Sequence, residues 1–186
     1  FYHKDDEYTA KTKDRLWKLY MQTVGSNCGF MLGVPPMKNG KFAEMDSQIL
    51  RAFGLDLRRA YSYKVSQIGT IEASSTLSKE FDASNLFSDD ETKTWRPALG
   101  DTEPELTITL SQKDMFDKFV IMESIVNGQH VEGYEVYIDE GTGKFKKVGS
   151  GGVIGYKRIH KINPVEVIRV KIKITSYRGN LELQSV

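Results

Sequence analysis

Three segments in the second half of the chain alternate apolar and polar residues with a period of two, and this pattern constrains the fold most. Leu106, Ile108 and Leu110 alternate with Thr107 and Thr109. Tyr134, Val136 and Ile138 alternate with Glu135 and Tyr137. Ile168, Val170, Ile172 and Ile174 alternate with Arg169, Lys171 and Lys173. Successive side chains of a strand point to opposite faces, so each segment reads as a strand with one buried and one solvated face. Clusters at Asn127-Gly128, Asp139 to Gly143 and Gly149 to Gly152 read as the turns between strands. Short antiparallel strands with such turns favour a β-sandwich.

The first part of the chain has a different period. Leu16, Trp17, Tyr20, Met21 and Val24 are spaced for a helix, with Gly25 placed to cap it. Met45, Ile49, Ala52, Phe53, Leu57 and Ala60 repeat that spacing. Between them lies the apolar run Phe30-Met31-Leu32-Gly33-Val34, stopped by Pro35-Pro36. Helix, buried strand, helix is a unit of a parallel sheet, whose strands need neighbours. No second βα unit follows, so the stretch reads as the close of something that begins elsewhere. The pattern changes between Tyr61 and Ile68, which divides the chain into segments 1–63 and 64–186.

Composition excludes several function classes. The chain has 186 residues, 26 basic and 25 acidic, with a formal net charge of +1. That balance leaves no electrostatic footprint for nucleic acid and no polybasic membrane patch. No apolar run approaches the roughly 20 residues of a membrane helix. Cys28 is the only cysteine, so no intrachain disulfide forms. Three scattered histidines and one cysteine give no zinc spacing.

The blocks of the first segment, in order, are Phe1-Tyr2-His3, Leu16 to Tyr20, Val24-Gly25-Ser26-Asn27, Phe30 to Leu32, Val34-Pro35-Pro36 and Leu50 to Gly54. Their order and spacing resemble the close of the catalytic barrel of α-L-fucosidases, glycoside hydrolase family 29. Gly33 stands where that family usually has Asn. The blocks Ala73-Ser74-Ser75, Ala83 to Leu86, Thr94-Trp95, Leu106 to Leu110, Gly128 to Tyr134, Ile154 to Ile159 and Val170 to Ile172 resemble a discoidin-like (F5/8 type C) domain. That is also the fold of family 32 carbohydrate-binding modules. The two resemblances imply a mostly β chain: an antiparallel discoidin-like sandwich (jelly roll), preceded by an α/β fragment like the last βα unit of a (β/α)8 barrel.

The implied parent is an exo-acting, retaining α-L-fucosidase that removes terminal fucose from glycans. Retention needs two carboxyl groups about 5–5.5 Å apart. In the family both lie in parts that match nothing here, so no catalytic residue is assigned and the chain alone is expected to be inactive. Asp5, Asp6 and Glu7 read as a solvated charge run. The resemblance implies that Phe1, Tyr2 and His3 lie near the mouth of a whole barrel as substrate-binding candidates, whereas in the isolated chain they read as a terminus without an ordered role.

The resemblance also implies candidate sites in the sandwich. Trp95 with Arg96, and His130, are the carbohydrate-binding candidates, aromatics stacking on sugar faces and polar groups fixing hydroxyls. Set beside this is the bland reading, with Trp95 in the core and His130 a turn residue. His160 is expected at the surface. The loop Asn85 to Pro97 matches one that binds structural calcium in the family. Here Ser88 and Asp89 replace Asp and Gly, Asp90 is kept, Lys93 replaces Thr, and the C-terminal acidic position falls on Ser185. An ammonium at Lys93 repels a cation and can pair with Asp90, so no cofactor is expected. If calcium binds, Asp90 is the ligand to look for. The implied partners are fucosylated or galactose-containing glycans and the missing N-terminal catalytic part, with no nucleic acid and no membrane. The implied location is secreted, periplasmic or lysosomal. The rival reading is a non-catalytic carbohydrate-binding or buttressing module.

Overall fold

A computed structural model describes residues 10–62 and 69–186. The chain divides into two compact units, 1–64 and 65–186. Phe1, Tyr2 and His3 lie outside the described residues.

The first unit holds two helices, α1 (Lys13–Thr23) and α2 (Glu44–Ala60). Thr12 caps α1, its hydroxyl accepting from the Arg15 amide at 3.2 Å. Gly25 closes it, and a Cβ there would stand 2.6 Å from the Met21 carbonyl oxygen, so only glycine fits. In α2, Glu44 and Asp46 sit in the first turn and Arg58 and Arg59 in the last, each complementing the helix dipole. The helices meet through rings. Trp17 and Phe53 pack edge to face with centroids 5.6 Å apart, and Tyr20 joins them at 5.9 and 6.2 Å. Lys13 and Asp56 add an ion pair at 2.7 Å.

The strand expected over Phe30 to Val34 does not form. Its residues still alternate: Phe30, Leu32 and Val34 are half-buried, while Gly33 is exposed and Met31 is 96 % exposed. The apolar run is therefore covered on alternate residues only, without the ladder. A strand exists through hydrogen bonds to a neighbour. Leu32, Val34 and Pro35 instead line a cleft of about 280 Å³ with Leu16, Ile49 and Leu50.

The second unit is antiparallel β. Its strands are β1 (Gly69–Ala73), β2 (Glu105–Glu123), β3 (Val131–Asp139), β4 (Lys146–Gly151), β5 (Arg158–Tyr177) and β6 (Leu183–Ser185). The sheet runs β1-β2-β5-β3-β4, and β6 pairs with the end of β2. The long strands β2 and β5 carry the layout. Leu106, Ile108 and Thr109 pair with Ile172, Val170 and Arg169, and Asp114 to Ile121 pair with Val167 to Arg158. Register shifts between Thr109 and Asp114, and between Phe116 and Lys118, separate the two halves. Such irregularities bend strands. The alternating residues read from the sequence fill the core as expected: Leu106, Ile108, Leu110, Tyr134, Val136, Ile138, Val170, Ile172 and Ile174 are buried.

One turn expectation is corrected. Gly149 and Gly151 lie within β4, facing Val136 and Tyr134 of β3. Glycine is required there by what lies beneath. A Cβ on Gly151 would stand 2.6 Å from Tyr134 Cζ, and one on Gly149 would overlap His160 Nε2. The other two clusters are turns: the Gly128 amide donates to Ile125 O at 3.1 Å, and Asp139 Oδ1 accepts from the amides of Gly141, Thr142 and Gly143.

Candidate functional site

The loop before β2, which carries Asp90, Trp95 and Arg96, is fastened to the C-terminal strand. Trp95 and Leu183 exchange backbone hydrogen bonds at 2.8 and 3.0 Å. Trp95 itself is fully buried, with its indole N–H donating to Ser75 O at 3.1 Å. No face of that ring is open to a sugar, so Trp95 is a core residue.

In extended backbone the neighbours of an inward residue point the other way. Thr94 and Arg96 do so together, onto Glu182. The Thr94 hydroxyl donates to Glu182 Oε1 at 2.7 Å, and Arg96 Nη2 donates to Glu182 Oε2 at 2.7 Å. Glu182 is only 7 % exposed. The guanidinium also lies 4.2 Å from the centroid of Phe81, within cation–π range. Arg96 is thus held on two sides by its own chain.

Asp90 belongs to a local turn. Its carboxylate accepts from the Thr92 amide at 3.0 Å and the Thr92 hydroxyl at 2.6 Å. Those bonds hold its carboxyl below the usual range, with a smaller contribution from Lys93. The principal partner of Asp90 is Thr92, where the sequence pointed to Lys93. Ser88 Oγ accepts from the Asp90 amide at 3.1 Å.

A calcium ion takes six to eight oxygens. The residues present do not fit that demand. Ser88 and Asp90 are turned onto their own loop, both Glu182 oxygens are taken, and Lys93 adds a cation. Among the described residues, no group of three or more His, Cys, Asp or Glu is placed to hold a metal. The acid near the C-terminal end that reaches this loop is Glu182, three residues before Ser185.

His130 is half-buried, its Nδ1 2.8 Å from Arg178 O and its Nε2 buried without a partner. It stands in a loop organised by Glu123, a residue to which the sequence reading gives no role. Glu123 is fully buried. Its Oε1 accepts from the amides of His130 and Val131, the latter at 2.9 Å, and its Oε2 accepts from Gly155 N at 3.0 Å. One carboxylate therefore ties loop 124–130 to loop 152–157. His160, expected at the surface, lies partly under β4, and burial pulls its imidazole below the usual histidine range.

A sequence model of the F5/8 type C domain matches residues 70–185. The chain belongs to the F5/8 type C domain family. The F5/8 type C domain is accompanied by the helical unit in the relatives as well. Alpha-L-fucosidase 1 of Arabidopsis thaliana is 28% identical over 183 residues, 96% of this chain and 36% of that protein. Among solved structures, SpGH29 superposes with a TM-score of 0.89 at 26% identity, covering 100% of this chain and 40% of that one. The GH29 fucosidase E1_10125 of Ruminococcus gnavus, solved in complex with fucose, shares the fold at a TM-score of 0.88 and 24% identity, over 94% of this chain and 36% of that one. The chain spans about a third of the length of the curated relatives it matches. Among the described residues, no helix is long and apolar enough to cross a membrane.

Proposed function

We propose that this chain is the non-catalytic, C-terminal portion of an exo-acting, retaining α-L-fucosidase, with the catalytic carboxylates supplied by the part of the protein it lacks. One observation carries the reading: the similarity to a fucosidase runs through both units, over 96% of the chain, and not through the F5/8 type C domain alone. A free-standing binding module needs no helical unit with a strand-like apolar run. In a fucosidase that run has neighbours, since the alternation of Phe30, Leu32 and Val34 suits a strand of a closed barrel.

Within that protein we assign the F5/8 type C domain a structural, non-catalytic role. This role is favoured over sugar binding at Trp95 and Arg96, because the first is in the core and the second is tied to Glu182. The substrates of the parent are fucosylated glycans, and its location is secreted, periplasmic or lysosomal. The purified chain should give no turnover of an aryl α-L-fucoside. Turnover above background would overturn the assignment of the carboxylates to the missing part. Calorimetric titration with fucose and galactose should show no binding that Arg96→Met removes; such binding would restore the sugar-binding reading.

A further inference from the structure

We propose that Arg96 is the resident cation of the F5/8 type C domain: its guanidinium takes the place of a bound metal and neutralises Glu182. The inference does not depend on the fucosidase reading, because every group in it lies in residues 77–182.

Glu182 presents the problem that needs a cation. It is 7 % exposed and sits where the chain's last strand is fastened to the loop, with its backbone carbonyl accepting from Ser124 N at 2.9 Å. A buried carboxylate without a counter-charge is strongly unfavourable. A metal would be one solution. The chain uses another. Arg96 Nη2 reaches Glu182 Oε2 at 2.7 Å, and Thr94 satisfies Oε1 at the same distance. Arg96 is itself immobilised, through its amide to Phe81 O at 3.3 Å, its carbonyl from Leu77 N at 2.9 Å, and its guanidinium over the Phe81 ring. An immobilised arginine loses little further freedom in making the pair.

The residues that would compete for a metal are already directed elsewhere. Asp90 accepts from Thr92, Ser88 accepts from Asp90, and the Asn85 side-chain amide donates to Glu80 O at 2.7 Å and Thr94 O at 2.8 Å. The Asn85 bonds draw residues 80 and 94 together without an ion. The loop that metal would organise is thus organised by an amide, an Asx turn and an internal ion pair. Its consequence is a domain whose order is independent of divalent cations.

The test is thermal unfolding of the whole purified chain in calcium chloride and in EDTA, with the variants Arg96→Met and Arg96→Met/Glu182→Gln. The expected result is the same unfolding midpoint for the natural chain in both media. Arg96→Met should lower that midpoint. Glu182→Gln in the Arg96→Met background should recover most of the loss, because a neutral amide needs no counter-charge. A midpoint raised by calcium in the natural chain would overturn the proposal. So would failure of Glu182→Gln to recover the loss, since Arg96 would then act only by packing on Phe81. If Arg96→Met does not fold, the comparison of calcium with EDTA on the natural chain still decides.

Discussion

Tyr134 and His160 pack edge to face, with ring centroids 6.4 Å apart and planes at 84°, and the edge strand β4 lies directly over both rings. Two glycines make this contact possible, so the edge of the sheet depends on residues with no side chain. Gly149→Ala and Gly151→Ala should each destabilise by about 1–3 kcal/mol, the usual cost of overpacking a filled site. Urea unfolding checks the size. Pairing Gly149→Ala with His160→Ala should recover part of the loss, whereas additive losses would mean the two residues do not share the site.

The same packing predicts a pH dependence. Burial, aided by the positive charge of Arg158, holds the folded His160 pKa below the free value of 6.5. The unfolded chain therefore takes up the proton first as pH falls. The contribution of this group to stability is full above the free value and is lost as pH drops from there towards the folded pKa. The natural chain should lose stability as pH falls below the free value of 6.5, and His160→Gln should lose less over the same descent. Equal slopes for the two proteins would contradict this.

Glu123 gives a third expectation. Its carboxylate accepts three backbone amides from two loops. Glu123→Ala leaves those donors without their acceptor and should cost about 3 kcal/mol. Hydrogen exchange would locate the effect, with faster exchange at His130, Val131 and Gly155 before the sheet as a whole opens. Unchanged exchange at these amides would show that the loops hold without it.

Trp95 separates core from platform. Trp95→Ala should cost roughly 3–5 kcal/mol, as for other large buried side chains. Chemical denaturation measures it directly. A loss below about 1 kcal/mol would be incompatible with a fully buried ring joined to Ser75.

The legible part of this molecule was the part written in periodicity. The alternation at Leu106 to Leu110, Tyr134 to Ile138 and Ile168 to Ile174 is a local record of which face is covered, and the core follows it. The helices with Trp17 and Phe53 were legible for the same reason. Glu123 and Glu182 were not, because a buried acid has no local signature. Their partners lie far away in sequence, as Arg96 does from Glu182. The glycines of β4 misled because glycine in sequence signals a turn, and only the rings beneath show that it signals contact. At Phe30 to Val34 the apolar run is present without the strand, since an apolar run records burial and a ladder needs a second strand.

The measurement that bears most directly on the whole account is immunodepletion. An antibody raised against this chain should deplete aryl-α-L-fucosidase activity from extracts of the source organism and retain a polypeptide roughly three times the chain's length, since the chain covers 35–36% of its fucosidase relatives. Retention of a polypeptide of the chain's own size, with the fucosidase activity left behind in the extract, would contradict the reading of this chain as the non-catalytic portion of a fucosidase.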